Sequence, residues 1–269
     1  MLVQLSDPHV VEPGRLLQGR IDTPALLAQS VAAVAALQPA PKAVVVTGDL
    51  VERASAAQYA HLRALLAPLP GPVWLIPGNH DDVAALRAAF PDHDELTPVG
   101  DPALAGHVLW AREVAGLRVV ALDTVVPRAP HGTLCERRLA WLDSTLAAMP
   151  DRPTIVAMHH PPFVTGIAHM DAMGLREGVA GLEAVLRRHP QVERVICGHL
   201  HRNIVRRFGG TVAMTVPSTA HQIVLDLRAD SPAAYRREPP GFAVHAWRDG
   251  ALVSHVAVVG DHGPAELYD

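Results

Sequence analysis

The sequence predicts an α/β fold, a four-layer sandwich of two mixed β-sheets flanked by helices. Three observations predict it. Up to about residue 200, short β-branched or apolar runs alternate with longer stretches of helical spacing, as when strands and helices are laid down in turn. Beyond that point strand-like runs follow one another with only turns between, which implies a second sheet. At 269 residues, with 49% hydrophobic and 19% charged, the chain can bury a sizeable core.

Taken in order, strands are expected at Leu2–Leu5, Ala43–Val46, Val73–Ile76, Val119–Leu122, Thr154–Ala157 and Arg194–Cys197. Helices are expected between them at Pro24–Leu37, Ala54–Leu66, Val83–Phe90, Glu136–Ala148 and Leu182–Arg188, each with apolar residues at helical spacing. The later strands fall at Asn203–Arg207, Thr211–Thr215, Ile223–Leu227, Phe242–Trp247 and Leu252–Val258. Gly209-Gly210 and Asp249-Gly250 carry hairpin-turn chemistry between them. Pro, Gly and Asp content marks Thr97–Ala105, Val125–Thr133, Phe163–Gly178 and Ala229–Gly241 as loops. One domain is expected over residues 1–258, with a C-terminal tail over 259–269.

A formal net charge of −4 leaves no broad basic field, so no nucleic-acid polymer is expected as partner and a small ligand is. No apolar run approaches bilayer length, and the first strand leads straight into Asp7-Pro8-His9 without a charged leader, so neither membrane insertion nor export is expected. Cys135 and Cys197 are too few for a disulfide framework and lack thiolate-zinc spacing, which fits a reducing, cytoplasmic setting. Sixteen histidines against three tyrosines and four phenylalanines raise the expectation of metal binding.

Their placement carries the argument. Five expected strands end in residues able to bind a metal: Asp7 and His9, Asp49, Asn79 and His80, His159 and His160, His199 and His201. Strand ends of an α/β sheet share a rim, so these residues should converge. Mixed oxygen and nitrogen donors suit Zn, Mn, Fe or Co, whereas Ca or Mg prefers oxygen throughout. One catalytic zinc needs about three protein ligands; the larger set points to two divalent metal ions, with Asp49 the natural bridge. Gly48, Gly78 and Gly198 are expected to turn the backbone sharply before the next ligand. The two-residue spacing within Asp7-Pro8-His9 and His199-Leu200-His201 is expected to place both ligands on one side of extended backbone. Asp81 is read as a helix N-cap ahead of Val83 or a support for the ligands, the cap being favoured.

Asp7-x-His9, Gly48-Asp49, Gly78-Asn79-His80-Asp81, His159-His160-Pro161-Pro162 and Gly198-His199-Leu200-His201 together resemble, in order, the motif blocks of the calcineurin-like metallophosphoesterases. Within them the chain is similar to bacterial class III cyclic nucleotide phosphodiesterases and glycerophosphodiesterases, from Leu2 to about Val258. The resemblance implies the four-layer fold and a phosphodiesterase acting on 3′,5′-cyclic nucleotides or glycerophosphodiesters. It assigns Asp7, His9, Asp49 and His201 to one metal, and Asp49, Asn79, His159 and His199 to the other. His159 is preferred to His160 because the family motif reads His-x-Pro, and His80 would contact phosphate.

Two metals about 3.5 to 4 Å apart would acidify a bridging water for attack and clamp the in-line displacement. Asp49, Asn79 and His80 are the catalytic candidates, Asn79 and His80 meeting charge on the phosphoryl oxygens and His80 also protonating the leaving alkoxide. His160 is left as a support candidate, while His169, Asp171 and His221 are left open. His61, His93, His107, His131, His189, His245, His255 and His262 are assigned no role. Arg53, Arg202 and Arg206 could steer an anionic substrate, with Arg202 favoured. Two alternatives stand beside the diesterase: a phosphomonoesterase with the same site, and a catalytically silent metal-binding interaction protein. Exposed strands in the C-terminal third could also pair subunits in a homo-oligomer.

Overall fold

The computed structural model describes residues 1–268. In chain order its elements are β1 (Leu2–Leu5), α1 (Thr23–Ala35), β2 (Ala43–Thr47), α2 (Ala56–Leu66), β3 (Val73–Ile76), α3 (Val83–Ala89), β4 (Leu109–Val114), β5 (Leu117–Leu122), β6 (Gly132–Thr133), α4 (Glu136–Ala147), β7 (Thr154–Ala157), α5 (Ala168–Asp171), β8 (Leu175–Glu177), α6 (Val179–Arg188), β9 (Val192–Cys197), β10 (Ile204–Phe208), β11 (Thr211–Thr215), β12 (Gln222–Ile223), β13 (Tyr235–Arg236), β14 (Gly241–Arg248) and β15 (Ala251–Val258).

Two mixed sheets carry the fold. The first has the order β15-β14-β1-β2-β3, parallel across β1, β2 and β3. The second has the order β10-β11-β9-β7-β5-β4, parallel from β11 to β5 and antiparallel at both edges. Both faces of each sheet are covered, which is why Leu2–Leu5 and Ala43–Val46 read as unbroken runs and are wholly buried. Leu27, Val31 and Val34 of α1, Tyr59 and Leu62 of α2 and Leu86 of α3 join the first sheet's core, which also takes in Ile155, Ala157 and Ile196 from the second. Leu142 and Leu146 of α4 and Leu182, Val185 and Leu186 of α6 pack against Val120, Val156 and Val195 on the second sheet's other face. The layers run helices, sheet, sheet, helices, as expected.

Local chemistry starts the helices. The Asp22 carboxylate accepts from the Ala25 amide at 3.0 Å ahead of α1, and the Ser55 hydroxyl accepts from Gln58 at 3.2 Å ahead of α2. Both expected hairpin turns form, with positive φ at Gly209, Gly210, Asp249 and Gly250.

The late strands correct one expectation. They do not make up the second large sheet by themselves: β10 and β11 extend it, β14 and β15 return to pair β1 in the first, and only β12 pairs apart, with β13 in a two-stranded ribbon. An apolar run marks a strand, but its neighbours depend on where the chain is carried. Ile223–Leu227 shortens to β12 because Leu225 and Leu227 lie exposed and nothing buries the rest of the run. Strand β4 is an addition, and α5, β8 and β13 fall within expected loops. No helix among the described residues is long and apolar enough to cross a membrane. Residues 259–268, in the expected tail, hold no regular element, and its last residue, Asp269, lies outside the described residues.

Candidate metal centre

The carboxyl ends of β1, β2 and β3 meet those of β7 and β9, and all seven expected metal ligands gather there. Asp7 Oδ1 lies 3.4 Å from His201 Nε2, and Asp49 Oδ2 lies 3.5 Å from His9 Nε2. His159 Nε2 lies 3.4 Å from Asp49 Oδ1 and 3.1 Å from Asn79 Oδ1. The His199 amide donates to Asp7 at 3.0 Å, tying the second sheet's rim to the first. Asp7, His9, Asp49 and His201 form one group whose ligand atoms lie within 4.8 Å of one another, and His159, His160 and His199 form another.

The backbone aims the imidazoles. The Nδ1–H of His159 donates to the Thr47 carbonyl at 2.8 Å, that of His201 to the His221 carbonyl at 2.8 Å, and that of His80 to the Glu52 carbonyl at 3.0 Å. The Nδ1–H of His9 donates to the Glu52 carboxylate at 3.1 Å. When a ring is neutral with its proton on Nδ1, Nε2 presents a lone pair to the centre, the tautomer a metal ligand requires. His9 Nε2 and His201 Nε2 then face each other at 3.2 Å, two lone pairs that repel unless a cation or proton lies between them. His199 Nε2 is buried without any partner. These residues therefore fit a metal pair.

Electrostatics agree. Burial would raise the Asp49 and Asp7 carboxyls, but His159 beside Asp49 and His201 beside Asp7 override it and hold both low. Burial lowers His9, and pushes His199, next to His159, down to about 3. Burial would likewise lower His159, but Asp49 and Asp7 hold it at about 9. The rim thus combines ionised carboxylates with imidazoles that burial keeps neutral at His9 and His199.

Two details differ from expectation. The paired ligands sit past the strand ends, in left-handed rather than extended backbone: Asp7, His9, Asp49, His199 and His201 have φ of 52°, 43°, 47°, 69° and 50°. They are half of the ten non-glycine residues with positive φ among the described residues, a strain each of these ligands bears itself. Of the three glycines only Gly48 turns, at φ 93°. Gly78 and Gly198 are needed for closeness instead: a Cβ at Gly78 would fall 2.2 Å from the Asp49 amide, and one at Gly198 would fall 2.2 Å from Ser6 Oγ.

Asp81 is not the cap; Asp82 is, accepting from Ala85 at 2.8 Å. Asp81 lies beneath the rim, where it accepts from the Gly78 and Leu50 amides and the Tyr59 hydroxyl and braces the loops carrying Asn79 and Asp49. Glu52, which orients His9 and closes a group with His9 and His80, was missed because a glutamate three residues after Asp49 carries no motif. His160 is wholly buried, its Nδ1 2.8 Å from Thr124 Oγ1 and its Nε2 unpartnered.

The centre opens into a cleft of about 230 Å³ lined by His80, Asn79, Glu52 and His221 among others, with Leu17, Met170, Met173 and Ile223 as apolar wall. His221, left open by sequence, faces it and packs on His201 at 4.7 Å between ring centres. Asp171 instead organises its own loop, accepting from Thr165 and Gly166, and neither it nor His169 lines the cleft. Arg202 and Arg206 are drawn away, Arg202 to Ile223 and Glu238 and Arg206 to the Val164 carbonyl.

Relatives share this frame. A probable glycerophosphodiester phosphodiesterase GpdQ of Arcobacter nitrofigilis is 31% identical over 100% of this chain and 97% of its own. A probable cyclic nucleotide phosphodiesterase of Rhodopseudomonas palustris is 36% identical over 94% and 90%. In structure, a dimetal phosphatase from Danio rerio superposes with a TM-score of 0.69 at 16% identity, covering 95% of each chain. The model of the calcineurin-like phosphoesterase family matches residues 2–203, and by that match and these relatives the chain belongs to that family.

Proposed function

We propose that the chain is a metal-dependent phosphodiesterase that hydrolyses small diesters, 3′,5′-cyclic nucleotides or glycerophosphodiesters, with residues 1–258 as the catalytic unit. The observation that carries this reading is the facing pair His9 Nε2 and His201 Nε2, 3.2 Å apart and flanked by Asp7 and Asp49. Asp7, His9, Asp49 and His201 would hold one divalent cation, and Asp49, Asn79, His159 and His199 the other. The mixed donors favour Zn, Mn, Fe or Co. Such a pair, when bound, supplies Lewis acidity toward phosphoryl oxygens and a water acidic enough to attack at neutral pH.

The chain's own residues do the rest. The Glu52 carbonyl anchors His80 through Nδ1, and against its burial Asp49 with Glu52 raises the ring's pKa, so that in the protonated form Nε2–H can donate to a phosphoryl oxygen or deliver its proton to the leaving alkoxide. The Asn79 amide adds a second polar contact from the same loop. Among the described residues no lysine or arginine lines the cleft, which suits the single charge of a diester better than the double charge of a monoester. The relatives named as glycerophosphodiester and cyclic nucleotide phosphodiesterases support the same class. A cytoplasmic setting accords with Cys135 and Cys197, both free thiols.

The test is a metal-reconstituted panel. Two equivalents of Mn, Zn, Fe or Co per chain should bring turnover of bis(p-nitrophenyl) phosphate well above that of p-nitrophenyl phosphate. Preference for the monoester would make the chain a phosphomonoesterase, and stoichiometric metal with no hydrolysis would make it a binding protein.

A further inference from the structure

Beside the cleft runs a larger groove of about 550 Å³, lined by Val11, Glu12, Arg15, Leu16, Arg53 and Gln58, and joined to the cleft through Leu17, Gln18 and Glu52, which line both. Its carboxylates are engaged: Glu12 accepts from the Ser55 hydroxyl at 3.2 Å and Glu52 from His9 at 3.1 Å. Its arginines are not. Among the described residues neither Arg15 nor Arg53 forms an ion pair or a side-chain hydrogen bond, in contrast to Arg202 and Arg206. Gln58, with Arg15 near enough to help, holds the Glu12 carboxyl low, but both guanidinium groups keep their hydrogen-bond donors free for a ligand, whereas the carboxylates are already taken up as acceptors.

The groove is also built. The buried Gln58 amide oxygen accepts from the Arg53 backbone amide at 2.7 Å, fixing where that side chain starts. Leu16, nearly half exposed, adds an apolar wall. Among the described residues, five non-glycine positions outside the ligand set have positive φ: Ala115 and Asp249 sit in hairpin turns, Arg128 in the loop before β6, Gln18 on the groove wall and Ala54 directly after Arg53. Strain of that kind persists where the surroundings impose it, and it gathers at binding sites.

We propose that this groove is a substrate subsite in which Arg15 and Arg53 bind a second anionic group, a phosphate or carboxylate, carried on one alcohol substituent of the diester whose phosphorus sits at the metal centre. The proposal rests on the phosphodiesterase reading above and, of its two substrate classes, favours glycerophosphodiesters whose second alcohol carries a further negative charge over 3′,5′-cyclic nucleotides, which carry none. Guanidinium groups are suited to such oxyanions because they donate in pairs.

Thymidine 5′-(p-nitrophenyl phosphate), with and without a 3′-phosphate, tests it in the metal-loaded protein. The wild type should favour the 3′-phosphorylated ester by about tenfold in kcat/KM. The Arg15→Ala/Arg53→Ala variant should lose that preference through KM while cleaving the plain ester as before, and Arg53→Lys should restore part of it. Equal rates on both esters, or equal losses on both in the variant, overturn the subsite. Equilibrium binding of thymidine 3′,5′-bisphosphate against thymidine 5′-monophosphate reads the groove without turnover. A bisphosphate preference that the double variant abolishes, in a chain that cleaves no diester, would keep the groove and reject the phosphodiesterase; cleavage without that preference would do the reverse.

Discussion

The metal rim and the middle of the first sheet both bury histidine, on opposite terms. His245 in β14 lies in regular strand with both nitrogens satisfied. Gln4 spends its amide N–H groups on Thr47 and Cys197, so its oxygen accepts from His245 Nε2–H at 3.2 Å, and the Ser254 hydroxyl completes the ring at Nδ1 at 2.8 Å. On the rim His160, His199 and His221 each keep a buried nitrogen without partner, and His9, His199 and His201 sit in left-handed backbone. A histidine that serves the fold is satisfied by the chain itself. On the rim several rings are left incomplete, and the backbone that carries the ligands bears the strain.

Four experiments put that contrast at risk. The largest effect belongs to the rim's working groups: Asn79→Ala and His80→Ala should each lower kcat/KM by about 10²–10³-fold, with little change in urea midpoint because both side chains are only partly buried. Near-normal turnover would remove them from the reaction. Next, Gly78→Ala should destabilise by about 3 kcal/mol, the upper end for overpacking, because the new Cβ meets the Asp49 backbone and carboxylate. Equilibrium unfolding showing an unchanged midpoint would mean the rim is looser than its contacts suggest.

The third experiment adds the missing partner. A divalent cation at about a hundred times its dissociation constant should raise unfolding free energy by about 2.7 kcal/mol; His245→Asn should retain that gain and His201→Ala should not. A gain surviving in His201→Ala would place the cation elsewhere. The smallest effect is pH dependence at His245, where burial, with Arg194 adding to it, pushes the ring down to about 3. The unfolded chain takes up a proton at an ordinary histidine value of about 6.5 while the folded chain does not. Stability is therefore full above that value and falls with acidification, by up to about 1.4 kcal/mol per pH unit, until the folded ring also titrates. Stability measured from pH 7 to 5 should fall less steeply in His245→Asn than in the wild type, and parallel slopes would refute the assignment.

Much of the site was legible beforehand for a simple reason: each strand of an α/β sheet announces itself as an apolar run, and the residues just past its end lie on a common rim. Asp7, Asp49, Asn79, His159 and His199 were found that way, without any long-range contact being known. Glu52 could not be, since its role exists only through His9 and His80, the former 43 residues away. His221 sits in no motif and matters because it packs against His201. Asp81 and Asp82 are adjacent carboxylates, and only their different surroundings separate brace from cap.

Hydrophobic periodicity and residue chemistry are local properties, so the layers, the strand ends and the donors they carry were written in the sequence alone. The sheet each late strand joins, the imidazole nitrogen that faces the centre, the strained backbone and the arginines that remain free emerged only in the folded chain. Those depend on distances between segments remote in sequence, and no local pattern encodes a distance of that kind.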